Sequence, residues 1–155
     1  MKAKSPKSSA TTKTEIVCSN DTNPMGILQG SRLLEWMDIA AAICAQTHTG
    51  TICVTAAVYK ADFINSAQVG NIISIQANIT RTFNTSMEIF VQAHARPVVE
   101  GKPSLISEAF FCFVALDHQV KKTTVNPLIT RTKKEKEAFQ TAEKRRHYMA
   151  NFPLK

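Results

Sequence analysis

Residues 31–48, "SRLLEWMDIAAAICAQTH", read as a single helix whose apolar side chains are not confined to one stripe. Leu33, Leu34, Trp36, Met37, Ile39, Ala40, Ile43 and Cys44 spread over most of its circumference. Such a helix is surrounded by other elements rather than laid on a surface. Ser31 suits the N-cap and Gly50 the C-terminal stop. The preceding "NDTNPMG" is turn chemistry. In the middle of the apolar run stands one carboxylate, Asp38. An ionised carboxylate among apolar neighbours is costly unless something compensates it. Asp38 is therefore either a structural group paired with an arginine or a group with chemistry to perform.

The chain beyond this helix is β-type. "TICVTAAVYKADF", "GNIISIQANITRTF", "TSMEIFVQAHARPVV" and "SLISEAFFCFVALD" are apolar or alternating runs. Turn residues separate them, "EGKP" among them. "TEIVCS" is a further short strand before the helix. Two of the three later links are short, so neighbouring strands should pair antiparallel. The fold class is α+β: a four-strand meander curled around one long helix. A single wrapped sheet leaves edge strands bare, so two such units should pair. Residues 1–13, rich in Lys, Ser and Thr, read as a disordered tail. Residues 14–130 form the domain, and 131–155 a polar helical extension docking through Phe139, Ala142 and Tyr148 or Met149.

The formal net charge of +7 suggests nucleic acid until it is mapped. Residues 1–13 carry +4, residues 131–147 another +4 and Lys155 +1, whereas the body between the tails carries −2. The basicity lies in the tails, and no nucleic-acid partner is expected. The four cysteines form no C-x-x-C pair, and His94 and His118 stand apart from other metal ligands. Cys44 and His48 share a helix face, which reads as a buried thiol beside a helix-terminal imidazole rather than a nucleophile pair. The start "MKAKSPKSSATTK" has no apolar signal core, and no apolar run approaches the roughly 20 residues of a membrane span. A reduced, cytoplasmic protein is expected, and its three N-x-S/T sequons then occur by chance.

The stretch "DTNPMGILQGSRLLEWMDIAAAICAQTHTG" resembles the opening segment of the hotdog-fold acyl-CoA thioesterases, with Asn23, Gly26, Gly30, Met37 and Asp38 in register. The branch it resembles holds the bacterial acyl-CoA thioester hydrolases and the brain-type cytosolic acyl-CoA hydrolases. "VTAAV", "DFINSAQVGN", "TSMEIFVQA", "EAFFCFVALD" and the closing "EKRRHYM" are similar to its later segments. The chain departs from the family's usual residues at Gln29, Ser31, Ser66 and Asn71.

The resemblance implies a hotdog fold that is dimeric at least, assembled as a trimer of dimers. It implies hydrolysis of acyl-CoA to free acid and CoA. No cofactor is implied, since CoA belongs to the substrate. Asp38 would be general base or nucleophile. The helix start at Gly30 and Ser31 would hold the oxyanion. Asn23 would donate to the carbonyl or position the water, facing Asp38 of the opposite subunit. Thr85 and Ser86 would lie beside the pantetheine arm. Arg81, Arg96, Lys60 and Lys102 are the candidates for CoA phosphate. The alternatives are a non-catalytic acyl-CoA-binding hotdog protein, a hotdog dehydratase, which needs a His near Asp38 that the chain lacks, and a basic-tailed nucleic-acid binder.

Overall fold

The structure, a computed structural model, describes residues 1–99 and 101–151. Strand β1 (Thr11–Ile16) precedes the long helix α1 (Gly30–Thr49). Four strands come next: β2 (Ile52–Phe63), β3 (Ile72–Thr82), β4 (Ser86–Arg96) and β5 (Ser104–Leu116). Helix α2 (Lys133–Asn151) closes the chain. One antiparallel sheet holds all five strands in the order β1-β3-β4-β5-β2.

α1 packs on the inner face of this sheet. Ala40, Ala41, Cys44 and Ala45 are wholly buried, so the helix backbone sits close to the strands. Met37 fills the space beside them, against a face built from Ile73, Ile75, Met87, Ile89, Val91, Phe111 and Phe113. Alternate residues of β4 and β5 point inward, as the strand period of two requires. Gly50 ends α1 with φ 70°, a left-handed turn that glycine adopts without a Cβ clash.

Four sequence-based expectations are corrected. The N-cap falls two residues earlier, at Gln29, which makes no side-chain cap, so Ser31 lies inside the first turn. The helix is not surrounded. Ile39 and Ile43 are 40% and 45% exposed, because a single sheet covers only one side of it. Strands β3, β4 and β5 form the expected meander, but β2 pairs with β5 rather than β3. The long segment 64–71 carries the chain from the β2 edge across β5 and β4 to β3, so sequence adjacency does not set that pairing.

The fourth correction concerns residues 1–13, which are not a disordered tail. β1 pairs with β3 from Thr11 to Ile16. The Lys4 N–H donates to the Pro127 carbonyl at 2.9 Å, and the Lys4 ammonium donates to the His48 carbonyl at 2.7 Å. A segment poor in apolar residues is ordered here by edge pairing, which satisfies its backbone. β2, twelve residues long, is left as the longer of the two edge strands, with the six-residue β1 at the other end of the sheet.

The end of α1 generates a prediction. His48 is fully buried, with Nε2 2.9 Å from the Asn126 carbonyl. Burial lowers its pKa from the ordinary 6.5. The unfolded chain then binds more protons than the folded one near and below pH 6.5. Stability should fall as pH drops from 7.5 to 5.5, and His48→Gln should flatten that slope. Urea denaturation at several pH values checks this; parallel slopes in the two proteins would refute it.

Candidate active site at the bare edge of the sheet

Asp38 lies on the rim of α1 that faces the bare strand β2. The Thr55 hydroxyl donates to its Oδ1 at 2.6 Å. Thr55 sits at a bulge in the β2–β5 register, between Thr55 and Ala57, the kind of irregularity that re-aims a side chain. Among the described residues no arginine or lysine forms an ion pair with Asp38. Arg32, the nearest arginine in sequence, is engaged by Asp21 at 3.1 Å and Glu35 at 3.0 Å. The carboxylate is thus oriented by a neutral donor through one oxygen, and its second oxygen is left for other partners. It is half-buried, beside the exposed apolar side chains of Ile39, Ile43, Val54 and Val58.

Asn23 lies in the loop before α1. Its Oδ1 accepts from the N–H groups of Met25 and Ile27, at 3.0 and 3.1 Å. Those two bonds hold the turn in which Gly26 adopts φ 72°. They also settle which end of the amide is available: with the oxygen facing its own loop, the NH₂ group points away as a donor. No hydrogen bond joins Asn23 to Asp38 within one chain among the described residues.

The start of α1 is the third component. Its first intrahelical bond runs from the Leu33 N–H to the Gln29 carbonyl at 3.0 Å. The N–H groups before it carry the unsatisfied positive end of the helix. A Cβ on Gly30 would lie 3.3 Å from the Phe63 ring, so glycine permits close approach there. Beside it opens a cleft of about 310 Å³ lined by Ile27, Leu33, Phe63, Ile64 and Ile106 among others. Gly30 and Asp38 are separated by about 12 Å along the helix axis. A single chain therefore displays the donors and the carboxylate at separate places.

The outer face of the sheet carries α2 and a second groove of about 300 Å³. Thr85 and Ser86 line it, as do Ala57, Lys122 and Arg146. Ala57 lies two positions after Thr55 on β2, so groove and carboxylate flank the same stretch of edge. Tyr59 lies under α2, where burial and then its bond to Glu88 raise its pKa, keeping the phenol a donor.

The proposed phosphate cations are only partly brought together. Arg81 is tied to α2: it pairs with Glu143 at 2.7 Å, donates to the Phe139 carbonyl at 3.1 Å and stacks on the Phe139 ring. Arg96 ends β4 while Ser86 begins it, about 33 Å away by strand rise. Lys102 lies in the loop after that same far end. Lys60 is exposed at φ 52° on a second β2 bulge, in a hollow shared with Tyr59 and Lys144. Thr55, Lys122 and Arg146 escape a reading of the sequence alone. Arg146 stands in plain view in "EKRRHYM", but a basic run reads as solvated until docking shows which member faces a groove.

The competing chemistries find no support in the geometry. Burial pushes the Cys44 thiol up to about 11, and its Sγ is 3.9 Å from the Ser9 hydroxyl. His48 faces Asn126 instead. No group of three potential metal ligands occurs among the described residues.

The wrapped helix, the antiparallel sheet and the rim carboxylate define a hotdog-fold protein of the thioesterase type. The thioesterase superfamily matches residues 25–102, and the chain belongs to that family. The acetyl-coenzyme A thioesterase of Mus musculus is 36% identical over 121 residues, covering 78% of this chain and 22% of that protein. The chain spans about a fifth of the length of the curated relatives it matches first. A hexameric acyl-CoA thioesterase solved without ligand superposes with a TM-score of 0.93 at 31% identity, covering 97% of each chain. An acyl-CoA hydrolase of Staphylococcus aureus, solved with butyryl coenzyme A and coenzyme A, gives 0.89 at 30% identity, covering 96% of this chain and 91% of that one. Alanine variants of that hydrolase have been solved at an asparagine, at an aspartate 15 positions later and at a threonine 17 positions after that.

The reassignment of Arg81 is testable. Arg81→Met should speed amide exchange along α2 about tenfold, as expected for one lost charge-assisted bond with its ring contact. Unchanged α2 protection in hydrogen–deuterium exchange would return Arg81 to the pool of free cations.

Proposed function

We propose that the chain hydrolyses acyl-CoA thioesters to a free carboxylic acid and CoA. The observation that carries this reading is Asp38, held by the Thr55 hydroxyl at a half-buried rim with no cation neutralising it among the described residues. The asparagine, aspartate and threonine substituted in the Staphylococcus aureus hydrolase have the spacing of Asn23, Asp38 and Thr55 here, which supports the same reading.

The chemistry rests on the groups present. One oxygen of Asp38 is engaged by Thr55. The other either takes a proton from an attacking water or attacks the thioester carbon itself, forming a mixed anhydride that water then hydrolyses to the free acid. The resulting oxyanion needs donors already in place, because a preorganised dipole adds no reorganisation cost during reaction. The backbone at Gly30 and Ser31 and the outward NH₂ of Asn23 are such donors. CoA leaves as its thiolate, so no strong acid is needed, and no further cofactor enters.

One chain keeps these parts apart, and a second copy unites them. The bare edge of β2 and the exposed Ile39, Ile43, Val54 and Val58 suit edge-to-edge pairing of two copies. Asn23 of one copy then faces Asp38 of the other, and three such dimers form the expected hexamer. The cytoplasm suits the chain's free cysteines, which form no disulfide among the described residues.

The test is thiol release from acyl-CoAs of increasing chain length. Asp38→Asn should lower kcat by about 10²–10⁴-fold, the usual contribution of a positioned base. Asn23→Asp keeps the loop acceptor but removes the donor, and should cost about 10²–10³-fold. Wild-type protein that binds CoA and releases no thiol from any member of the panel would instead be a binding module.

A further inference from the structure

Thr55 and Tyr59 stand four positions apart on β2, so the strand period of two would turn both to one face of the sheet. They face opposite ways. The Thr55 hydroxyl donates to Asp38 on the inner side, whereas the Tyr59 hydroxyl donates to Glu88 beneath α2 on the outer side. The register explains the reversal. Thr55 pairs with Phe113 and Ala57 with Cys112, two steps along β2 against one along β5. Ala56 is therefore the extra residue of a bulge, and it inverts the alternation between the two side chains.

The ladder alone holds this bulge weakly. A second irregularity follows between Tyr59 and Asp62, so Ala57, Val58 and Tyr59 form a short run of pairs between two interruptions. Lys60, within the second, has φ 52°, a left-handed backbone that a residue with a Cβ keeps only where its surroundings dictate it. β2 is also an edge strand, with no strand on its other side within the chain. A slip of one residue would turn the Thr55 side chain away from α1.

Tyr59 supplies the fixation that the ladder lacks. Its ring stacks on Phe110, with 6.0 Å between centres and 12° between planes. Its phenol reaches past β5 to a carboxylate of β4. That carboxylate, Glu88, is 1% exposed. Arg145 of α2 bonds it at 2.6 and 3.1 Å, and the Thr80 hydroxyl donates to it at 2.6 Å. A buried ion pair with both oxygens engaged is a fixed point, since moving either member leaves a charge uncompensated. The phenol thus ties the edge strand to an immobile group two strands away.

We propose that Tyr59 is a positioning residue for thioester hydrolysis: anchored on the Glu88–Arg145 pair, it locks the bulge at Ala56 and so keeps the Thr55 hydroxyl on Asp38. This rests on the hydrolytic reading above and adds to it what holds the edge strand in register.

The experiment is a double-mutant cycle on acyl-CoA hydrolysis. Tyr59→Phe removes the hydroxyl and keeps the ring; Thr55→Val removes the donor and keeps the shape. Tyr59→Phe alone should lower kcat about threefold to tenfold and leave KM within about twofold, the pattern of a lost transition-state interaction. In the Thr55→Val background the same change should cost less than about twofold, because the donor it positions is gone. An unchanged kcat in Tyr59→Phe, or an equal loss in both backgrounds, overturns the assignment. Should Tyr59→Phe not fold, Glu88→Gln takes its place in the cycle. It leaves the phenol a neutral acceptor, and its loss of kcat should likewise vanish in the Thr55→Val background; a loss of the same size in both overturns the assignment. Should the wild type release no thiol from any acyl-CoA, the hydrolytic reading fails on its own. Hydrogen–deuterium exchange then decides the lock: Tyr59→Phe should speed exchange of the amides from Thr55 to Tyr59 about tenfold, and unchanged exchange overturns it.

Discussion

The close seat of α1 against the sheet is the constraint on which the other features depend. Ala40, Ala41, Cys44 and Ala45 present almost no side-chain volume to β3, β4 and β5, so the helix backbone comes down onto the strands. That approach fixes where the ends and rims of the helix fall. Gly30 is delivered beside Phe63, and Asp38 is delivered to the rim within reach of Thr55. A bulkier inner face would lift the helix and separate Asp38 from its donor. The same seat places His48 in the interior, where Asn126 and the N-terminal Lys4 close over it.

The two faces of the sheet perform separate tasks because they are closed by different means. The inner face is closed by apolar packing, which is non-directional and tolerates no charge. The outer face is closed by α2 through directional contacts: Glu88 with Arg145, and Arg81 with Glu143 and Phe139. A helix with few apolar residues can dock only in this way, since its burial of apolar area is small. Directional contacts also specify rotation, which apolar contacts do poorly. The charge that looks like a solvated tail is therefore partly structural, and the remainder stands over a groove.

The sequence displayed the helix, the strands and their antiparallel pairing because these depend on local periodicity and short links. Asp38 was legible as an unusual residue, a carboxylate in an apolar run, whereas Asn23, in ordinary turn chemistry, stood out only through the family resemblance. Thr55 was not legible, because a threonine in a strand is ordinary until a bulge turns it toward a helix 17 positions away. Arg81 and Arg96 looked no different from Lys122 and Arg146, as a sequence shows only that each is a cation. Only their partners separate them. The N-terminal residues misled for a related reason: a polar segment has no core of its own, but an open strand edge supplies the backbone bonds that order it.

By itself the chain determined its element types, the stopping point at Gly50 and the presence of one carboxylate where apolar side chains dominate. These depend on residues near one another in sequence. Tertiary structure decided that β2 lies at the far edge beside β5, that Thr55 orients Asp38, and that Arg145 turns inward while Arg146 turns out. Each of those outcomes depends on which distant surfaces meet, and a local pattern carries no record of that.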